Sequence, residues 1–113
     1  MSKDRSVYIK HIYDCICRIE EYTNGGRDEF FSDHKTQDAV IRNLEVIGQA
    51  IKDFGVEDLI ADFKDIPWNE ISGMRNILAH QYLGVSINTT WAVIEKDLQP
   101  LKKAISGILK SFE

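Results

Sequence analysis

The stretch Val40-Ile41-Arg42-Asn43-Leu44-Glu45-Val46-Ile47-Gly48-Gln49-Ala50-Ile51-Lys52-Asp53-Phe54 places Val40, Leu44, Ile47, Ile51 and Phe54 at steps of four, three, four and three. At about 100° per residue this spacing lines one stripe of an α-helix, and it is the clearest core stripe in the chain. Arg42 and Glu45 fall off the stripe and read as an exposed ion pair, with a phosphate contact from Arg42 as the alternative. Gly48 costs about 1 kcal/mol against Ala inside a helix, so its presence points to close approach of a neighbouring helix or a ligand. Gly55 ends the helix.

Towards the N-terminus, Tyr8, Ile12, Ile16 and Ile19 recur at helical spacing between Asp4 and Tyr22, with Lys10, Asp14, Arg18 and Glu21 on other faces. This first helix is expected to stop at Thr23-Asn24-Gly25-Gly26, where glycine supplies the positive φ of a helix terminus. Phe30-Phe31 reads as a hydrophobic anchor in the connecting loop, and Ser32 to Thr36 offers several caps for the next helix. His11 and Cys15 share a face and could form half of a metal site, but no second pair accompanies them, so packing or solvation is the simpler reading.

Towards the C-terminus, Val56 to Phe63 is expected to add a short helical turn with Leu59, Ile60 and Phe63 inward. Pro67 suits the first turn of a helix running towards Ala79, because its missing N–H does no harm there. Trp68, Ile71, Leu78 and either Met74 or Ile77 should be buried, while Gly73 permits either a bend or close packing. After a connection from Leu83 to Asn88, capped by Asn88, Thr89 or Thr90, a last helix carries Trp91, Ile94, Leu98, Leu101, Ile105, Ile108 and Phe112 on one face. Pro100 is expected to kink or re-start it. Lys102, Lys103 and Lys110 form an exposed basic side, read as solvated in preference to an RNA track.

No strand alternation, internal repeat or low-complexity segment interrupts this pattern. Four main amphipathic helices make an antiparallel four-helix bundle, with a short extra helical turn, the economical all-α fold. The 113 residues fit one domain, 1–113, and 43% hydrophobic with 28% charged residues is ordinary for a globular chain. No apolar run approaches the roughly 20 residues of a membrane span. Met1 to Arg5 holds no apolar signal core, so the expected location is the cytoplasm. Cys15 and Cys17 point about 200° apart on a helix and should not bond to each other. A net charge of −4 excludes a general nucleic-acid coat, so any RNA contact must be local.

The reactive side chains concentrate in Met74-Arg75-Asn76-Ile77-Leu78-Ala79-His80-Gln81-Tyr82. On a straight helix Arg75 and His80 sit about 140° apart, while Arg75 and Tyr82 return to nearly one face. Either the helix ends or bends near His80, or a second copy of the chain completes the cluster. His80 can act as base or acid near neutral pH, with an ordinary pKa of about 6.5, and Arg75 can brace two phosphate oxygens at once. Asn76 either orients His80 or donates to phosphate, or is an ordinary surface group. From residue type and spacing alone, Arg75 in a surface ion pair, His80 at a helix C-terminus and a half-buried Tyr82 is the simpler reading. No phosphate-cradling glycine loop, paired-carboxylate metal set or Ser-His-Asp arrangement is legible.

The pattern Arg-x4-His-x-Tyr in a short helical chain resembles the HepT-like branch of the HEPN superfamily. The resemblance extends through Arg42 to Ala50, Ile66-Pro67-Trp68, Trp91 and Asp97-Leu98. At Gln49 the family often carries Glu, a departure away from the proposed chemistry. The resemblance implies a HEPN-like helical bundle, a homodimer with a composite cleft, and a metal-independent endoribonuclease needing no cofactor, with RNA, messenger or transfer, as substrate. Arg75 and His80 are then catalytic, Asn76 supporting. It further implies a cognate MntA-like nucleotidyltransferase antitoxin that transfers AMP to Tyr82. A non-catalytic helical adaptor for such a nucleotidyltransferase is the alternative, and a purely structural bundle subunit a third reading.

Overall fold

The computed structural model describes residues 4–73 and 87–112, and within them every regular element is a helix. In chain order these are α1 (Ser6–Tyr22), α2 (Arg27–Ser32), α3 (His34–Phe54), α4 (Val56–Asp62), α5 (68–73 among the described residues) and α6 (Ile87–Ser111). The long helices α1, α3 and α6 carry the expected stripes, and α1 packs against both of the others. Ile9, Ile12, Cys15, Ile16 and Ile19 of α1 meet Val40, Leu44, Ile47 and Ile51 of α3 and Leu98, Leu101 and Ile105 of α6 in one core. Tyr8, expected on the stripe, is half-buried, and Ile9 takes the buried position beside it.

Polar contacts fix the helix directions. Arg5, just before α1, donates to the Phe54 carbonyl at the end of α3 (2.6 Å) and to Asp58 of α4 (2.7 Å), with its guanidinium 4.0 Å from the Phe54 ring centroid. The start of α1 therefore lies beside the end of α3, and the two run antiparallel. Near the other end of α1, Glu20 accepts from Gln99 (2.6 Å) and Lys102 (2.7 Å) of α6. Lys10 and Tyr13 share a surface depression with Leu109 and Phe112, so α1 and α6 are antiparallel as well.

The Lys102 hydrogen bond, aided by Gln99, holds the Glu20 carboxyl below its ordinary range despite partial burial. A carboxylate with a lowered folded pKa stabilises above its unfolded value, and that contribution disappears as pH falls through the folded one. Wild type should therefore melt above Glu20→Gln at neutral pH. The gap should begin to narrow as pH drops below about 4.3, the ordinary Glu value, and close as pH falls through the lower folded value; thermal melts of both proteins across the acid range measure it.

Helix ends follow the turn chemistry. Gly26 (φ 92°) and Gly55 (φ 117°) hold the positive φ that other residues adopt at a cost, and they start α2 and α4. Asp33 caps α3 by accepting from the Lys35 N–H (3.0 Å) and the Thr36 hydroxyl (2.9 Å), which hold its carboxyl below the usual range.

Several expectations change. Phe30-Phe31 sits in the short helix α2 instead of a loop, because Gln37 donates from its buried amide to the carbonyls of Phe30 (2.9 Å) and Phe31 (3.2 Å). Leu59 is buried, but Ile60, a further 100° round α4, is exposed, as is Phe112 just past the end of α6. Asn88, Thr89 and Thr90 lie inside α6 and do not cap it, and Thr90 is buried. α6 also runs through Pro100 without re-starting. The lost hydrogen bond falls on an exposed side, where water can serve the freed carbonyl.

Candidate functional site

Arg75, Asn76, His80 and Tyr82, together with Met74, Ile77 and Leu78, lie outside the described residues. What the fold shows is the frame on either side of them. On the N-terminal side, Trp68 and Ile71 are buried to 1% and 3% exposure, as their apolar spacing required. The Trp68 indole N–H donates to the Phe63 carbonyl (2.8 Å), so the largest side chain in the core is fixed by packing and by a hydrogen bond. One turn on, the Ser72 hydroxyl donates to the Gly48 carbonyl (3.4 Å). Ser72 of α5 thus approaches the backbone of α3 at its buried glycine. At Gly73, the last described residue of α5, a Cβ would meet no described atom within 4 Å.

On the C-terminal side, Ile87, Thr90 and Trp91 anchor the start of α6. The Trp91 ring lies 5.1 Å from Phe30 and 6.3 Å from Phe31 between centroids, and Phe30 meets Phe31 edge-on at 5.6 Å. Arg27 stacks over Phe31 at 4.5 Å. The aromatic contact explains why α2 exists: it is the wedge between α3 and the first turn of α6. Sequence reading saw the two phenylalanines but not this partner, because six residues are too few to display a helical period. Gln37 was the available signal, a polar residue one turn before Val40 on the α3 core stripe.

The other titratable groups singled out in the sequence are structural. Cys15 is buried, and desolvation pushes its thiol up, partly opposed by the neighbouring Arg18 guanidinium. A thiol so placed is a poor nucleophile. His11 is exposed on the same helix. Among the described residues no group of three His, Cys, Asp or Glu side chains is arranged to hold a metal ion. Arg42 pairs with Glu45 at 3.8 Å, the exposed ion pair expected of it. Lys102 leaves the expected basic side to bind Glu20. No described helix is long and apolar enough to cross a membrane.

Comparison with known proteins covers residues 74–86 as well as the elements on either side of them. The family model described as "Ribonuclease HepT-like" matches residues 12–108. A Thermococcus cleftensis protein named "Probable ribonuclease HepT" is 38% identical over 115 residues, covering 97% of this chain and 100% of the relative. A Methanocaldococcus jannaschii protein named "Gamma-glutamylcyclotransferase and putative RNase" is 42% identical over 114 residues. That match takes in 100% of this chain but 51% of the relative, so the chain spans about half the length of that protein. A Caldanaerobacter subterraneus "Putative RNase" is 36% identical over 104 residues, covering 91% of this chain and 92% of the relative. No solved structure matches the chain significantly.

Proposed function

The chain belongs to the HepT-like family of the HEPN superfamily, and we propose that it is the toxin of a HEPN/MNT toxin–antitoxin pair, a metal-independent endoribonuclease acting as a homodimer. The observation that carries this reading is a family match over residues 12–108 that includes an intact Arg75-x4-His80-x-Tyr82. RNA is its own nucleophile here. The 2′-hydroxyl attacks the neighbouring phosphate, the P–O5′ bond breaks, and the products are a 2′,3′-cyclic phosphate and a 5′-hydroxyl.

The reaction requires a base for the 2′-proton, an acid for the leaving 5′-oxygen, and positive charge on the phosphoryl oxygens. His80 supplies base or acid, and Arg75 supplies the bidentate cation. One copy holds one such imidazole, so a two-fold pair of chains, meeting along the segment that carries Arg75 and His80, furnishes both proton-transfer groups in one cleft. Asn76 orients His80 or donates to a phosphoryl oxygen.

Tyr82 is the control point. A nucleotidyltransferase antitoxin of the MntA-like kind transfers AMP to its hydroxyl. The added phosphodiester puts negative charge and bulk two residues from His80, where substrate phosphate has to sit. After co-expression with that partner, intact mass and peptide mapping should show one or more AMP units on the peptide holding residues 75 to 82, and none in Tyr82→Phe. Stable co-purification without any mass change would transfer inhibition from modification to binding.

A further inference from the structure

We propose that the face of α6 carrying Lys96, Lys103 and Lys110 is a binding track for single-stranded RNA, with the groove between Phe63, Ile66 and Pro100 holding one base; this rests on the ribonuclease reading and gives its substrate a path. The three lysines are seven residues apart and so return to nearly one side of the helix, spanning about 21 Å along it. All three are exposed, and no carboxylate lies within ion-pair distance of them among the described residues. Between them on this face stand Gln99, Pro100 and Gly107, all exposed and uncharged. Lys102 is not part of the track, because Glu20 neutralises it on the side turned towards α1.

Beside Lys103 the surface opens into a groove of about 430 Å³, with Phe63, Ile66, Pro100 and Ala104 as its apolar walls and Lys64 and Lys103 at its rim. The Phe63 ring reaches α6 at Gly107, where an added Cβ would come within 3.9 Å of it. Asp62 and Asp65 complete the lining. Their charge disfavours a phosphate inside the groove and leaves phosphates to the lysines, while their oxygens accept hydrogen bonds from the amino groups of a base. An apolar lining with one aromatic ring, next to cations, is a place where a base of a single-stranded nucleic acid can stack, since every base has a face to stack. A stripe of free lysines in a chain of net charge −4 makes the RNA contact local, as the overall charge demands.

The test is fluorescence-monitored binding of a short 2′-O-methyl RNA, which cannot be cleaved through its own 2′-oxygen, over a range of salt. Lys96→Gln/Lys103→Gln/Lys110→Gln is compared with Lys10→Gln/Lys35→Gln/Lys52→Gln, which removes equal charge elsewhere, circular dichroism showing that both fold. The track predicts that the first variant alone lowers the slope of log affinity against log salt by about 2. Affinity falls roughly a hundredfold at about 0.1 M, each lysine contributing about 0.7 of a released counterion. Equal losses in both variants, no loss in either, or no RNA binding by the wild type would overturn it. An abasic strand of equal charge should bind wild type more weakly; equal binding removes the groove from the proposal. A polyglutamate peptide that binds as well as RNA, with the same dependence on these lysines, would assign the face to an acidic protein instead. Cleavage of unmodified RNA is scored separately. A wild type that binds through the track but never cuts leaves the track standing and refutes the nuclease, whereas a stripe variant with unchanged KM refutes the track and leaves the nuclease.

Discussion

Replacing His80 by Ala lowers RNA cleavage by about 10²–10⁴-fold, the usual contribution of one positioned acid–base group, and leaves the melting temperature close to that of wild type. The second half of this expectation matters as much as the first. A histidine that merely filled a helix end would alter stability and spare chemistry. Arg75→Ala should lose a comparable factor, because the developing charge on the phosphoryl oxygens then has no bidentate partner. Arg75→Lys should recover only part of it, since an ammonium is a point charge where a planar fork is needed. In a composite cleft that uses one imidazole from each chain, mixed dimers of wild-type and His80→Ala chains lack one proton-transfer group, so excess His80→Ala chain should lower the activity of a fixed amount of wild type. Single-turnover cleavage rates and thermal melts on the same preparations measure all of this, and an adaptor would keep its partner binding through every substitution with no cleavage to lose.

Trp68→Ala is the opposite kind of change, with a large effect on folding. The side chain is 1% exposed and its indole N–H is bonded to the Phe63 carbonyl. Truncation of a buried Trp costs about 3–5 kcal/mol, against a total of roughly 5–15 kcal/mol for a domain of ordinary stability. The variant should unfold at far lower denaturant in circular dichroism. Trp68→Phe keeps much of the apolar contact and loses the hydrogen bond, so it should fall between. RNA cleavage by Trp68→Ala, measured where it is still folded, should also drop, since Trp68 and Ser72 fix the helix that leads to Arg75.

Long elements were legible in the sequence because helical period needs length to declare itself. The four-three spacing from Val40 to Ile51 and the run from Ile94 to Ile108 are buried as read, and Gly55 and Pro67 stand at the helix boundaries assigned to them. Failures came where one local signal had to decide alone. Phe30-Phe31 read as a loop because a six-residue helix is held by Gln37 and Trp91, contacts between residues distant in the chain. Ile60 and Phe112 read as core because an apolar residue at an element's edge looks like one on its buried stripe. A kink or a re-start is expected at Pro100 because the penalty for proline depends on whether the freed carbonyl meets water, which spacing does not tell; the helix runs on through it without re-starting. Lys102 read as part of a basic side because Glu20, its partner, is 82 residues away. For the site, the pattern Arg75-x4-His80-x-Tyr82 nominates the residues, and the fold describes only the elements that flank them in the chain: Trp68, Ile71 and Ser72 before, Thr90 and Trp91 after.

Metal-independent cutting of RNA through the RNA's own 2′-hydroxyl is the activity expected of this chain. Its direct measurement is cleavage of an end-labelled RNA by the purified, unmodified protein in excess chelator, with the chemistry of the new ends determined. Cleavage that leaves 2′,3′-cyclic phosphate and 5′-hydroxyl ends, and that vanishes in His80→Ala, is the predicted result. Cleavage that requires an added divalent cation or leaves 5′-phosphate ends, or that persists undiminished in His80→Ala, would contradict it.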